Sequence, residues 1–280
     1  MRKNGGAAPG CVPEAAAGQP PPASRVTPRA TSRHSKINLA LFAILAAGVT
    51  HTAADASDLQ PTTYEQIEVT LSGSVAGIVR AATMPPLPAS IRIFKDQSTC
   101  GESIPNEAIV RSPDGGLRNA VVALDGITKG KAPDPSAIAR LESFHCRFVP
   151  RVIAMAVGQR LEVVNSDPIR HTARARIVGV GTIFDVALPV QNQKIPKTIR
   201  QPGLMIVKCD AEHPWALAYI KAFEHPYFAV TDDRGAFRID RIPPGTYRLT
   251  AWQEELGAQS IEVIISGGVE SAVTFDHLVK

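Results

Sequence analysis

Beyond residue 57 no stretch of the chain sustains an apolar stripe at helical spacing for three turns. Strand follows strand instead. Ser72–Arg80, Ile91–Phe94, Asn119–Leu124 and Val152–Ala156 are short runs rich in Val and Ile. Gln159–Asn165 continues the pattern after Gly158, and Gly203–Cys209 does so after the turn Gln201-Pro202-Gly203. Pro, Gly, Asp and Asn bound these runs, as they punctuate strands and turns generally. Short strands at this density predict an all-β chain folded as a sandwich or barrel.

The last part of the chain reads as a separate β unit. Phe228–Thr231 and Gly235–Ile239 flank the acidic turn Asp232-Asp233-Arg234, and Pro243-Pro244-Gly245 opens Thr246–Trp252. Ile261–Ile265 and Val269–Phe275, on either side of Gly267-Gly268, predict a hairpin. The run VTDDRGAFRIDRIPPGTYRLTAW resembles the carboxypeptidase regulatory-like β-sandwich modules of envelope and secreted proteins, over the second half of such a module. The resemblance implies that strands from 69–95, from SGSVAGIVR and the residues around Ile91, complete the module, with the chain between them inserted. The expected division is 1–56, then 57–222 with its core at 117–222, then 223–280.

Charge divides the chain differently. Residues 1–56 hold six basic side chains (Arg2, Lys3, Arg25, Arg29, Arg33, Lys36) against Glu14 and Asp55. Removing these from 30 basic and 26 acidic residues leaves 24 of each in 57–280, a net charge of zero. A neutral body lacks the basic footprint that binding to a phosphate backbone needs, so nucleic acid is not an expected partner. Residues 1–36, rich in Gly, Ala, Pro and Ser, are expected to stay disordered. Ile37–Val49 is an apolar run behind Arg33 and Lys36, shorter than the ~20 residues of a membrane span. With Ala54-Asp55-Ala56 as a small-x-small site it reads as a signal peptide cleaved after Ala56. The expected location is the periplasm, with no membrane span in the mature chain; an uncleaved anchor is the rival reading.

Export changes what the cysteines mean. Cys11 falls in the removed segment, leaving Cys100, Cys146 and Cys209. In an oxidising compartment two of three tend to pair, and sequence alone permits three pairings. The stretch 146–222 carries the chemistry. Asn165-Ser166-Asp167 leads to His171, and the run Gly203–Cys209 ends in Cys209-Asp210-Ala211-Glu212-His213. Two imidazoles and one thiolate in a trigonal plane, with a weak axial group, are what a soft-metal electron-transfer site requires.

These pieces resemble cupredoxins, in particular plastocyanin-like periplasmic proteins that couple such a domain to a regulatory-like β module. The matching segments run from Cys146-Arg147-Phe148-Val149-Pro150 through Asn165-Ser166-Asp167 to His171, then from Pro202-Gly203 to Trp215 and on to His225-Pro226-Tyr227-Phe228. The resemblance implies a cupredoxin-like Greek-key β-sandwich and one copper ion held by His171, Cys209 and His213. It also implies single-electron exchange with a periplasmic redox protein. With Cys209 so used, Cys100–Cys146 is the favoured disulfide. Asn165 and Asp167 are read as turn and supporting groups for the His171 loop. Trp215 would shield the metal or simply pack; His145, His225 and His277 are read as structural or bystander residues.

Two departures from the pattern matter. The spacing is C-x3-H rather than C-x2-H, with Glu212 or a neighbour as the extra residue. Ala216 stands where Met would supply the axial sulfur, and a methyl group cannot coordinate. The site would be three-coordinate or would recruit a backbone carbonyl, a water or Glu212, and with Glu212 or water it would move towards ordinary Cu(II) or Zn(II) binding. Two other classes of function therefore stay open: a metal-free envelope scaffold or adhesion module with a relic copper loop, and copper sequestration or delivery without redox cycling. There is no Gly-rich phosphate loop, G-x-S-x-G elbow or HExxH helix, so an enzyme is not expected.

Overall fold

The structure, a computed structural model, describes residues 64–278. The expectations for 1–56, including the signal peptide, the cleavage after Ala56 and Cys11, lie outside them. The described chain is all-β, with strands numbered in order along it and one four-residue helix, α1 (Gln97–Cys100).

Two β-sandwiches account for most of it. In the first, a five-stranded sheet has the order β11 (Val152–Ala156), β17 (His213–Phe223), β16 (Gly203–Cys209), β13 (His171–Ile177), β14 (Gly181–Leu188). Its partner sheet is β10 (Arg147–Val149), β9 (Ile138–Phe144), β12 (Arg160–Asn165), β15 (Lys194–Thr198). Both sheets feed one core, which includes Leu141, Phe148, Leu161, Val163, Met205 and Ile220. Alternation sets which side chains enter it: His171, Ala173 and Ala175 of β13 point inward while Arg174 and Arg176 face out.

In the second sandwich, β18 (Phe228–Val230), β7 (Val121–Asp125), β20 (Gly245–Gln253) and β21 (Gly257–Ile265) form one sheet. The other is β19 (Ala236–Ile242), β2 (Gly73–Ala81), β22 (Glu270–Leu278). Their shared core includes Val75, Leu124, Tyr227, Leu249 and Phe275. Three short pairs complete the set: β1 (Glu65–Gln66) with β8 (Lys129–Gly130), β5 (Val110–Arg111) with β6 (Leu117–Arg118), and β3 (Ser90–Arg92) with β4 (Ser103–Pro105). The β3–β4 hairpin carries α1 at its tip.

Strand pairing departs from the sequence reading in three places. Ile261–Ile265 and Val269–Phe275 do not form a hairpin: β21 pairs with β20, whereas β22 crosses to the other sheet and runs parallel to β2. β2 is largely buried and needs a ladder on each side, and β22 and β19 supply them. The residues around Ile91 do not join this sandwich, since Ile91 and Ile93 pack on the first core. β7 does join it, pairing with β18 and β20, although it falls inside the expected 117–222 core. Its buried run Val121–Leu124 needs a covered face on each side, and the centre of that sheet provides it.

Close approach of backbone explains one glycine. A Cβ on Gly130 would meet the Tyr227 hydroxyl at 2.3 Å. That hydroxyl accepts from the Lys131 N–H at 2.8 Å and donates to the Arg241 carbonyl at 3.0 Å.

Candidate metal centre

β13 and β16 are antiparallel neighbours, with Arg174 opposite Lys208, so the start of one strand lies beside the end of the other. That brings His171 and Cys209 together although they are 38 residues apart. The short 210–212 turn then returns the chain into β17 at His213, which pairs with Cys209. A register shift at Lys208/Cys209 changes the parity of β17. It turns His213 and Trp215 inward at the site end, while Ala216, Ala218 and Ile220 still face the core.

The three side chains meet in a buried cluster. Cys209 Sγ lies 3.7 Å from His171 Nδ1 and 3.6 Å from His213 Nδ1, and the three ligand atoms are all within 4.8 Å of one another. Both imidazoles are 1% exposed and Cys209 is 3% exposed. Each ring turns its other nitrogen to a carboxylate: His171 Nε2 to Asp167 Oδ2 at 2.9 Å, and His213 Nε2 to Asp96 Oδ2 at 2.9 Å. Holding one nitrogen in this way fixes the ring plane and leaves the other free for a metal.

The spacing fits a single ion. For a metal ~2.3 Å from sulfur and ~2.0 Å from each nitrogen, a planar 120° arrangement separates S from N by about 3.7 Å. One thiolate with two imidazoles is a donor set suited to copper or zinc.

Electrostatics favour a charged cluster. Burial alone would raise the Cys209 thiol, but hydrogen bonds from His171 and His213, with the N–H groups of Thr172 and Ala211, bring it down to about 5. Burial likewise opposes charge on His171, yet Asp167 and Cys209 push it up to about 9. His213 is raised mainly by its hydrogen bond to Cys209, against burial. Burial also works against the Asp167 carboxylate, but hydrogen bonds from His171 and from the Cys146 and His145 N–H groups hold it below the usual carboxylate range. The cluster thus holds a thiolate beside the His171 imidazolium at neutral pH. The Thr172 N–H, 3.3 Å from the sulfur, adds a further donor to it.

The supporting residues sort themselves out. Asn165 bridges the loop: its amide donates to the Ile169 and Leu188 carbonyls at 2.8 and 3.0 Å, and its carbonyl oxygen accepts from Asp167 N–H at 3.0 Å. Trp215 packs 5.4 Å from the His213 ring and donates from Nε1 to the Cys146 carbonyl at 3.0 Å. Glu212 is not among the clustered ligand atoms. It has a positive φ of 66°, an exposed side chain and an ion pair with Lys95. Ala216 is buried with only a methyl group to offer. Cys100 and Cys146 form a disulfide with Cα atoms 5.4 Å apart. Cys146 is also close to Asp167 and His171. His225, buried and held neutral down to about 4 by that burial, accepts from Tyr227 N–H and lies outside the cluster. His145 is exposed, its ring tilted 34° to that of Phe144 with centroids 4.1 Å apart.

Sequence reading missed Asp96 and Thr172. Thr172 adjoins His171 and was within reach of inspection. Asp96 was not, because it lies 117 residues before His213 in an unremarked hairpin. Its positive φ of 54° is a local signal visible only in the backbone.

Comparison with known proteins gives a modest background. Residues 218–273 match the family model described as "Polysaccharide lyase family 4, domain II", rather than the carboxypeptidase regulatory-like family that the sequence resembled. No curated protein matches the chain. Among solved structures, the novel purple cupredoxin from Nitrosopumilus maritimus aligns with 17% identity over 30% of this chain and 99% of its own, at a TM-score of 0.26. Amicyanin from Paracoccus versutus aligns with 13% identity over 36% of this chain and 97% of its own, at 0.28. The copper-containing nitrite reductase from Thermus scotoductus aligns with 23% identity over 34% of this chain, at 0.27, and the match spans 24% of that enzyme. At such scores the reading of the site stands on its ligand geometry.

Proposed function

We propose that this chain is an exported periplasmic copper protein that passes single electrons through a mononuclear site formed by His171, Cys209 and His213. One observation carries the reading: two imidazole Nδ1 atoms and one thiolate converge at metal-ligand spacing, while both Nε2 atoms are held by carboxylates. When bound, copper would alternate between Cu(I) and Cu(II) and so carry one electron.

The chain's own residues supply the rest. Asp167 and Asp96 fix the imidazole planes, so both rings keep one geometry in both oxidation states. The apolar shell of Trp215, Ala216 and Val207 keeps water out. Ala216, with only a methyl group, adds no donor to His171, Cys209 and His213, the three residues that would hold the copper. In this reading the chain catalyses no bond change, because Cys209 is too deeply buried for a substrate to reach its sulfur. The electron partner is a periplasmic redox protein. Among the described residues no helix is long and apolar enough to cross a membrane.

Titrating the chain, purified from a bacterial periplasm, with Cu(II) tests the proposal. An intense visible copper–thiolate band with narrow EPR hyperfine splitting supports it. A weak tetragonal signal points instead to copper storage or delivery. No stoichiometric uptake sinks the copper reading and leaves the cluster a structural one.

A further inference from the structure

The β3–β4 hairpin belongs to neither sandwich by backbone pairing: its two strands hydrogen-bond only to each other. Yet it covers the metal centre. Its tip supplies Asp96 to His213, Phe94 packs edge-on to Trp215 at 5.2 Å, and Lys95 pairs with Glu212. The Asp96 side chain is 36% exposed, so this residue stands between solvent and the buried His213 ring.

One covalent bond fastens the hairpin to the body. Cys100 closes α1, four residues beyond Asp96, and its disulfide partner Cys146 belongs to the turn that holds the other carboxylate. The N–H groups of His145 and Cys146 both donate to Asp167 at 2.8 Å, and the Cys146 carbonyl accepts from Trp215. The disulfide therefore ties together the supports of both imidazoles. Backbone strain gathers at the same place: Asp96, His145, Cys146 and Glu212 all have positive φ, between 48° and 66°. Each left-handed residue of this kind persists only where its surroundings hold it.

We propose that Cys100–Cys146 is a thiol–disulfide exchange site that latches the metal centre: reduction by a dithiol frees the hairpin, withdraws Asp96 from His213 and opens Cys209 and its metal to exchange. Both sulfurs are buried, Cys100 at 7% exposure and Cys146 at 0%, so a thiolate reaches Cys100, the sulfur carried by the hairpin itself, when the hairpin opens locally. The attacking thiolate forms a mixed disulfide and releases Cys146 as thiolate. The dithiol's second thiol then displaces Cys100. The S–S bond breaks, two electrons and two protons pass to the protein, and the dithiol leaves as a disulfide. With the latch open the hairpin has no covalent tie and no backbone ladder to the body, and is held by side-chain contacts alone, Ile93 and Ile104 in the first core among them.

The inference rests on the copper reading of this centre, and two readouts separate their failures. The full chain carrying Cys11→Ser is compared with the same chain carrying Cys100→Ser and Cys146→Ser as well. Alkylation of Cys209 in the metal-free proteins, followed residue by residue by mass spectrometry, should accelerate about tenfold or more when the disulfide is gone. Loss of Cu(I) from loaded protein to a competing chelator should accelerate about 10–100-fold, as expected when support for a ligand is removed. Graded reduction of the disulfide-bearing chain by a dithiol gives the same readouts without substituting the disulfide cysteines, and reoxidation should restore protection. Unchanged alkylation overturns the latch whatever the metal does. Faster alkylation in a protein that takes up no copper overturns the copper reading and leaves the latch as a gate on the thiolate.

Discussion

The two sandwiches bury polar side chains in opposite ways. In the second, Thr231 donates to the Leu117 carbonyl at 2.6 Å and accepts from Ala120 N–H at 2.9 Å. Gln253 donates to the Ala108 carbonyl at 2.6 Å and accepts from the N–H groups of Glu255 and Leu256. Tyr227 bridges Lys131 and Arg241. In each case a side chain satisfies backbone groups, at least one of them in a distant segment. In the first sandwich the buried polar side chains also answer one another: Asp167 holds His171, Asp96 holds His213, and both imidazoles face Cys209. Backbone-satisfying groups close a fold, whereas groups that converge on one point form a site.

Substitutions that act on one sandwich alone give this contrast its sharpest test. The largest effect should come from Cys209→Ser, which removes the only thiolate of the cluster. Stoichiometric copper uptake, measured by metal analysis after gel filtration, should disappear while thermal unfolding of the second sandwich stays in place. Retained uptake would break the contrast outright.

The converse change is Tyr227→Ala. Losing a fully buried aromatic side chain should destabilise the second sandwich by about 3–5 kcal/mol in denaturant unfolding. Copper affinity, measured below the unfolding transition, should not change. If it falls, the two sandwiches are coupled; Arg151, next to β11, does reach across to Glu254 at 2.6 Å.

Asp167→Asn is a smaller and more selective change. It keeps the shape of the side chain but removes the charge that orients His171, so copper affinity should fall by about 10–100-fold. Competition with a chelator measures this. An unchanged affinity would reduce Asp167 to a loop support.

The effects of pH take different forms in the two sandwiches. In the metal-free centre His171 keeps its proton up to about 9 whereas Cys209 is already a thiolate above about 5. Between those values copper must displace the His171 imidazolium proton but none from sulfur. Apparent affinity should therefore rise about tenfold per pH unit up to about 9, with proton release detectable by calorimetry in buffers of different ionisation enthalpy. In the second sandwich His225 stays neutral down to about 4, whereas in the unfolded chain it takes a proton near its ordinary 6.5. The unfolded state then binds more protons across that window, so stability should fall as pH drops from 6.5 towards 4. His225→Gln should flatten that slope and leave the copper titration unchanged.

Much of this was legible in the chain. The strand content follows from period-two alternation, a property of neighbouring residues, and β11, β12 and β16 lie close to where the Val- and Ile-rich runs placed them. The constellation of His171, Cys209 and His213 could be named because the segments around these residues resemble those of cupredoxins, and the three residues open β13, close β16 and open β17. The predicted hairpin at Gly267-Gly268 failed for an instructive reason. The turn residues are right for reversal, but whether a reversed strand stays in its sheet or crosses to the facing one depends on which edge needs a partner, and β2 needed β22.

The sequence by itself determined the strand content, the candidate ligands through their resemblance to a known pattern, and an odd cysteine left over beside a metal-type loop. These depend on side-chain alternation and turn chemistry within a few residues. Tertiary structure alone decided that Asp96 supports His213 across 117 residues, that β2 and β7 complete the second sandwich, and that the disulfide ties the supports of both imidazoles. Contacts of that range are selected by which assembly buries apolar edges and satisfies backbone groups together, and no local pattern carries that information.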